Sequence, residues 1–111
     1  MSGTSAPLRV RVVRERGGAT VVVLVGELDL ATTFGLRTRL ATLEQTDPPP
    51  DRVVVDLTGL DFIDASGISV LLSAQRALAA RGSGLVLRAP SRMVRTVLRL
   101  LDLDAVLQVE T

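Results

Sequence analysis

Leu60-Asp61-Phe62-Ile63-Asp64-Ala65-Ser66-Gly67 is the stretch that decides the fold of this 111-residue chain. An apolar run precedes it and a helical pattern follows it, so it marks the passage from a buried strand to a helix. The stretch places one serine, Ser66, at the predicted start of that helix, with Asp61 and Asp64 just upstream. A hydroxyl in this position can cap the helix, or it can carry a phosphate held by backbone N–H groups.

Apolar strands are predicted on both sides of this stretch. Upstream, Val53-Val54-Val55-Asp56-Leu57 predicts a buried strand bounded by Thr58-Gly59. Downstream, the pattern predicts a helix from Ser66 to about Ala80, ending near Gly82. Leu85-Val86-Leu87 then predicts a further buried strand, whose short apolar run is typical of a parallel sheet.

The rest of the chain continues the same alternation of strands and helices. Residues 1–7 are predicted to be a disordered leader. Before the central stretch, the pattern predicts a half-exposed strand over 8–12, a turn over 15–18 and a strand over 20–25, after which residues 26–30 lead out of the sheet. A helix then runs from Thr32 or Thr33 to about Glu44 and is followed by a stiff loop over 47–51. After the last buried strand, Pro90-Ser91 opens a third helix, and residues 105–109 are predicted to form a short last strand.

The order β-β-α-β-α-β-α-β predicts an α/β fold. A hairpin at the start gives one antiparallel pair, and the helical crossovers require parallel strands thereafter. We therefore expect a mixed sheet of four to five strands with packed helices, forming one domain over residues 8–111. A chain of this length is long enough for one core.

The composition excludes most catalytic chemistry. The sequence contains no His, Cys, Lys, Tyr or Trp. A serine nucleophile normally requires a His or Lys base, and zinc sites are built on Cys and His. We therefore expect no enzyme, no cofactor and no metal site. The net charge of +1 and the two aromatic residues do not favour nucleic-acid binding. Without an apparent signal peptide or membrane span, the expected location is the cytoplasm.

The topology predicts where a site would form. If the strands over 20–25 and 53–57 are neighbours, their carboxyl ends bring two loops together. One loop carries Glu27 and Asp29, and the other carries Asp61, Asp64 and Ser66. We expect Asp61 to be a solvated loop acid and Asp56 to be structural, hydrogen-bonded to a loop.

The helix that begins at Ser66 has two unlike faces. Its predicted core face carries Ile68, Leu71, Leu72, Leu78 and Ala79, with Gln75 among them. Its opposite face is small and flat and carries Ser66, Ser69, Ser73 and Ala77. This face is either a solvated or packed surface or a docking surface with Ser66 at its rim. In the third helix, Val94, Val97, Leu98 and Leu101 share one face, and we expect Arg92, Arg95 and Arg99 to form a solvated stripe.

At this point the chain resembles the STAS domain of bacterial anti-sigma factor antagonists. The resemblance covers almost the whole chain beyond residue 8. Its motifs are Gly26-Glu-Leu-Asp-Leu30 with Thr32-Thr33, Val54-Val-Asp-Leu57, Phe62-Ile-Asp-Ala-Ser-Gly-Ile68, Ala89-Pro-Ser91 and Val97-Leu-Arg-Leu-Leu-Asp-Leu103.

This resemblance implies a STAS fold and a binding protein. Members of the family bind an anti-sigma factor that is itself a serine kinase, which frees the sigma factor for transcription. The kinase uses ATP to phosphorylate the signature Ser or Thr before the Gly, here Ser66, and a serine phosphatase resets the protein. Ala65 departs from the family pattern, in which a second hydroxyl is frequent there. The partner-binding residues expected on this basis are Asp29, Asp64, Ser66, Gly67, Ser69 and Ser73.

Several alternatives remain open from the sequence. Ser66 could be only a helix cap, Asp64 could only shape its loop, and Asp29 could be a turn residue. The chain could also be a STAS module without a switch, either a scaffold or an accessory subunit of a membrane lipid transporter. A carboxylate-dependent phosphotransferase is the remaining, enzymatic alternative.

Overall fold

The computed structural model describes residues 7–110 and contains the predicted elements in the predicted order. The elements are β1 (Arg9–Arg14), β2 (Ala19–Leu28), α1 (Thr33–Gln45), β3 (Arg52–Ile63), α2 (Ala65–Ala79), β4 (Gly84–Arg88), α3 (Arg92–Leu100) and β5 (Gln108–Glu110), with a short 3₁₀ turn over Leu103–Ala105 before β5. The leader predicted over 1–7 lies, except for Pro7, outside the described residues.

The strands form a five-stranded sheet in the order β1-β2-β3-β4-β5. β1 and β2 are the predicted antiparallel hairpin, and every later pairing is parallel. β2 therefore lies directly beside β3, with Val22 opposite Val55 and Leu28 opposite Ile63. The mixed α/β sheet predicted from the sequence is confirmed, and so is the adjacency on which the site depends.

The main core lies between the sheet and the helices. Leucines from strands and helices alike are fully buried there, including Leu24, Leu57, Leu71, Leu87 and Leu98. Burying one such side chain contributes about 1.5–3 kcal/mol relative to its exposure to water. Because both ends of α2 insert leucine or isoleucine into this core, the position of its first turn is fixed by packing.

The other face of the sheet is covered by charged side chains from the sheet itself. Val21, Val54 and Val86 stand in register across β2, β3 and β4, and Val54 is fully buried. Arg88 donates to Glu15 at 3.1 Å and to Glu110 at 3.0 Å. The bond to Glu15 links the β1–β2 turn to β4 and therefore crosses over β3.

β2 and β3 extend well past the ends that the sequence predicted. β3 was expected to end at Leu57, but it continues through Thr58-Gly59 to Ile63, and β2 likewise continues to Leu28. Thr58 N–H donates to the Asp56 side chain at 2.9 Å, as expected for a structural aspartate. The sequence pattern places the boundary of the strand at Thr58-Gly59, but in the structure these residues lie at a β-bulge, where the β2–β3 register shifts and the strand continues.

Two apolar residues assigned to core faces lie instead in water. Ala79 is the last residue of α2 and is exposed, because the helix ends there and the chain turns through Gly82 with positive φ. Leu101 is 53% exposed because α3 ends at Leu100 and the backbone turns at Asp102. In contrast, Ser91 caps α3 as predicted, accepting from Val94 N–H at 3.2 Å.

Candidate functional site

The carboxyl ends of β2 and β3 bring two loops side by side. Leu28 and Ile63, the last residues of the two strands, are opposite each other in the sheet. Asp64 N–H extends the pairing by donating to the Leu28 carbonyl at 3.2 Å. The loop that follows β2 and the start of α2 therefore meet at one edge of the sheet, as the predicted topology required.

Asp64, and not Ser66, caps α2. Asp64 has an extended backbone, and its side chain accepts a hydrogen bond from Gly67 N–H at 3.1 Å. The helix begins at Ala65, which makes Ser66 its second residue. The prediction that Ser66 is the cap is therefore wrong. Both residues are good cap formers, and the contacts of the next residue, Gly67, decide between them.

Gly67 fastens the first turn of α2 to the ends of the two strands. It is buried, and a Cβ atom in its place would lie 2.7 Å from Leu28 Cγ and 2.9 Å from Ile63 Cγ1. A side chain at this position would push the helix away from the sheet. The glycine thus sets the distance between the helix start and the strands, and places Asp64 where it can cap.

Ser66 lies half-buried in the first turn of α2. The first N–H groups of a helix have no partner within the helix, and they give its N-terminus a partial positive charge. Of the first three, Gly67 N–H is used by Asp64, and those of Ala65 and Ser66 belong to the same first turn as the serine hydroxyl. No acidic residue lies in the first turn itself. The position is chemically suited to an added anion.

The loop after β2 is held by reciprocal bonds between Asp29 and Thr32. Asp29 N–H donates to Thr32 Oγ1 at 2.9 Å, and Thr32 N–H donates to Asp29 Oδ1 at 3.1 Å. Thr32 Oγ1 also donates to the Glu27 carbonyl at 2.9 Å. Of the two predicted helix starts, Thr32 and Thr33, Thr32 is the residue that immediately precedes α1. Its hydroxyl stabilises the loop, however, and makes no capping bond to the helix. Asp29 is therefore a fixed feature of the loop.

The predicted small face of α2 divides into two parts. Ser69 and Ser73 are exposed, whereas Ala77 is half-buried. Ser73 and Ala77 line a shallow groove of about 270 Å³ against α1, whose Arg37 and Glu44 form part of the opposite wall. Burial raises the pKa of the Glu44 carboxyl. The part of this face from Ser66 to Ser73 is therefore open to a broad partner, whereas its end at Ala77 is partly covered.

Asp61 lies elsewhere than predicted. It is exposed, but it belongs to β3, where it is the extra residue at the second register shift between the strands. Its carboxylate adds to the negative charge of this edge. Over residues 7–110, no group of three or more acidic side chains is arranged to hold a metal ion, and no helix combines the length and hydropathy of a membrane span.

A protein-family model matches residues 12–109, and its description is “Mlab, STAS domain”. The chain therefore belongs to the STAS-domain family, and its five-stranded mixed sheet with three helices is the STAS fold. No curated protein sequence matches the chain significantly.

Solved structures of anti-sigma factor antagonists are similar to the chain. Unphosphorylated SpoIIAA is 24% identical with a TM-score of 0.78, over 93% of this chain and 89% of that one. Phosphorylated SpoIIAA from Bacillus is 23% identical with a TM-score of 0.72, over 93% and 92%. An anti-sigma factor antagonist from Mycobacterium paratuberculosis is 27% identical with a TM-score of 0.74, over 96% and 89%. A sulfate transporter family protein from Wolinella succinogenes is 23% identical with a TM-score of 0.71, over 84% and 76%.

Proposed function

We propose that this chain is an anti-sigma factor antagonist. In this proposal it is a cytoplasmic binding protein without catalytic activity, and it captures an anti-sigma factor serine kinase so that a sigma factor is released. Phosphorylation of Ser66 ends the capture, and a serine phosphatase restores it. The similarity to SpoIIAA and to the mycobacterial antagonist supports this assignment.

One observation carries the proposal: the position of Ser66 in the first turn of α2. Ser66 belongs to the helix end that Asp64 caps, at the edge of the sheet where the loop of Asp29 also lies. The whole chain lacks the His or Lys that would make this serine a nucleophile. Ser66 is therefore better suited to receive a group from another protein's active site than to catalyse a reaction.

The proposed modification is an ordinary phosphoryl transfer. The bond between the β- and γ-phosphates of ATP breaks, a bond forms from Ser66 Oγ to the γ-phosphorus, and a base on the kinase takes the hydroxyl proton. ADP leaves with the electrons of the broken bond. The substrate protein contributes an accessible hydroxyl on a rigid helix end.

A phosphate on Ser66 is compatible with the fold but not with a close partner. It adds about −1.5 to −2 charges at pH 7, and the N-terminal end of α2 can accept an anion. The similarity to both forms of SpoIIAA, with TM-scores of 0.78 and 0.72, fits this tolerance. A surface already packed on the site would meet new bulk and charge beside Asp29 and Asp64. We therefore expect release of the partner without unfolding.

The partner-binding surface in this proposal comprises Asp29, Asp64, Ser66, Gly67, Ser69 and Ser73. Gly67 contributes through its backbone and through the position it gives to the helix, since it is buried. Ser69 and Ser73 follow Ser66 on α2 and are exposed, so a partner can continue along the helix from the phosphorylation site.

A second candidate function is a STAS module without a switch, acting as a scaffold or as an accessory subunit of a membrane transporter. The matching family carries the description Mlab, and the sulfate transporter family protein has a similar fold. In this alternative the same surface binds a partner permanently, and Ser66 is not modified.

Incubation with ATP and the anti-sigma-type serine kinases of the same genome separates the two functions. We expect mass spectrometry to find one added phosphate on Ser66, none on the Ser66→Ala variant, and an unchanged yield on Thr96→Ala. Thr96 is a suitable control because it carries an exposed hydroxyl in α3, outside the proposed partner-binding surface. Unmodified Ser66, with no binding to any of these kinases, would favour the scaffold.

A further inference from the structure

Both aromatic residues of the chain lie on its surface at the edge that carries Ser66. Phe34 is 78% exposed and Phe62 is 40% exposed, while the buried core of the described residues consists of aliphatic side chains. Leu30, in the loop after β2, is 77% exposed. Other large apolar side chains are exposed at and beyond the end of α3, so it is the position of this group beside Ser66 that indicates a binding surface.

The backbone that carries Leu30 and Phe34 is held in place before any partner arrives. Thr33 is buried, its hydroxyl donates to the Leu30 carbonyl at 3.1 Å, and its N–H donates to the Asp29 carbonyl at 3.0 Å. Phe34 follows as the second residue of α1. A surface that is already ordered loses little conformational entropy when it binds.

The charge around these side chains is mainly negative. Residues 26–36 and 60–70 contain the acids Glu27, Asp29, Asp61 and Asp64 and no basic residue, and the next base along α1 is Arg37, which is exposed one helical turn after Phe34. A complementary partner must therefore present Lys or Arg around an apolar pocket. A phosphate on Ser66 adds bulk at the rim of this surface, so the surface combines an apolar centre with a rim whose fit changes on phosphorylation.

We propose that Leu30 and Phe34 form a hydrophobic anchor, and that the anti-sigma factor serine kinase receives this anchor in an apolar pocket rimmed by basic side chains. The inference rests on the proposed function and extends it. The anchor supplies much of the affinity, whereas Ser66 decides whether the complex persists. A few residues near the centre of an interface commonly carry most of its binding energy.

Alanine variants of the anchor test this division of roles. Leu30→Ala and Phe34→Ala are compared with Leu100→Ala, a matched control because Leu100 is 80% exposed at the far end of α3. Each variant is titrated against the kinase that phosphorylates the wild type. We expect each anchor variant to weaken binding by about tenfold, equivalent to about 1.4 kcal/mol. We expect the Leu100→Ala variant to bind like the wild type.

Kinetics of Ser66 phosphorylation provide an independent readout. Loss of an anchor that acts only through binding raises KM and leaves kcat nearly unchanged, so we expect KM to rise about tenfold in the anchor variants. Circular dichroism should show the wild-type fold, since both side chains are exposed.

The outcomes distinguish the anchor from the proposed function. If the kinase phosphorylates Ser66 but binds the anchor variants as tightly as the wild type, the proposal of a hydrophobic anchor is wrong, and the proposed antagonist function is unaffected. Equal weakening by Leu100→Ala would also overturn the anchor. If no kinase binds the wild type, both proposals fail.

Discussion

Asp64 and Ser66 are two residues apart and both can cap a helix, so substituting each one separately tests the geometry of the site. In the structure the Asp64 side chain accepts from Gly67 N–H at 3.1 Å, and Ser66 lies inside the helix. Asp64→Ala removes this bond, whereas Ser66→Ala replaces one helical residue by a better helix former.

The expected free-energy changes differ in size. Loss of a cap typically costs about 1 kcal/mol, with a range of about 0.5–2. Removing the carboxylate from the positive end of α2 contributes to this loss, because a negative charge there is worth about 0.3–1 kcal/mol. We expect Asp64→Ala to lower the free energy of unfolding by about 1–1.5 kcal/mol and the melting temperature by about 3–6 °C. Asp64→Asn keeps an acceptor but loses the charge, so it should lose about 0.3–1 kcal/mol, and Ser66→Ala should change stability by less than about 0.5 kcal/mol.

Urea denaturation followed by far-UV circular dichroism is the suitable assay, because the chain has no Trp or Tyr for fluorescence. The unfolding midpoint should shift while the slope with urea stays constant, since each change is local. If Ser66→Ala destabilised the protein as much as Asp64→Ala, the cap would be Ser66 and the reasoning would be refuted.

Three further perturbations test other parts of the structure. Gly67→Ala places a Cβ 2.7 Å from Leu28 Cγ. The free-energy cost of this overpacking should exceed the gain in helix propensity, so urea denaturation should show a loss of stability of about 1 kcal/mol; a stabilised variant would contradict this. The hydrogen bond from Arg88 lowers the pKa of Glu15 below its ordinary value. The stability advantage of the wild type over Glu15→Gln should therefore be present above the ordinary carboxyl pKa and should disappear as the pH falls through the lowered pKa; a difference that stayed constant into the acid range would contradict it. Arg81 donates to two carbonyls at the end of α1, at 2.8 and 2.6 Å, so Arg81→Ala should lower the thermal midpoint through a loss of about 1 kcal/mol, and an unchanged midpoint would exclude this clamp.

The sheet and its edges could be predicted because local patterns specify them. Apolar runs such as Val53–Leu57 mark buried strands, and the helices between them require parallel pairing. From the strand order it follows which loops share an edge. The meeting of the Asp29 loop with the start of α2 therefore needed no knowledge of side-chain positions.

The details of the site could not be predicted because they depend on contacts between distant residues. The choice of Asp64 over Ser66 as the cap depends on how Gly67 packs against Leu28 and Ile63. Local sequence makes both residues acceptable caps. The extension of β3 past Gly59 depends on bulges against β2, and in sequence Thr58-Gly59 is indistinguishable from a turn.

The ion pair between Arg88 and Glu15, which covers the face of the sheet without helices, could not be predicted from the sequence either. Glu15 and Arg88 are 73 positions apart, and nothing in either neighbourhood indicates the pair. The exposure of Leu30 and Phe34 was missed for a related reason. Hydrophobic patterning assigns apolar residues to a core by default, and only the structure shows that a helix begins with its aromatic side chain in water.

The central claim is that a phosphate on Ser66 releases the kinase and leaves the fold intact. The most direct test is calorimetric titration of the kinase with the unmodified and the fully phosphorylated protein, with circular dichroism of both forms. We expect the unmodified protein to bind the kinase tightly. Phosphorylation should lower the affinity at least about tenfold, which corresponds to about 1.4 kcal/mol of binding free energy, and should leave the circular dichroism spectrum unchanged. Equal affinity of the two forms, or loss of the helical signal on phosphorylation, would contradict it.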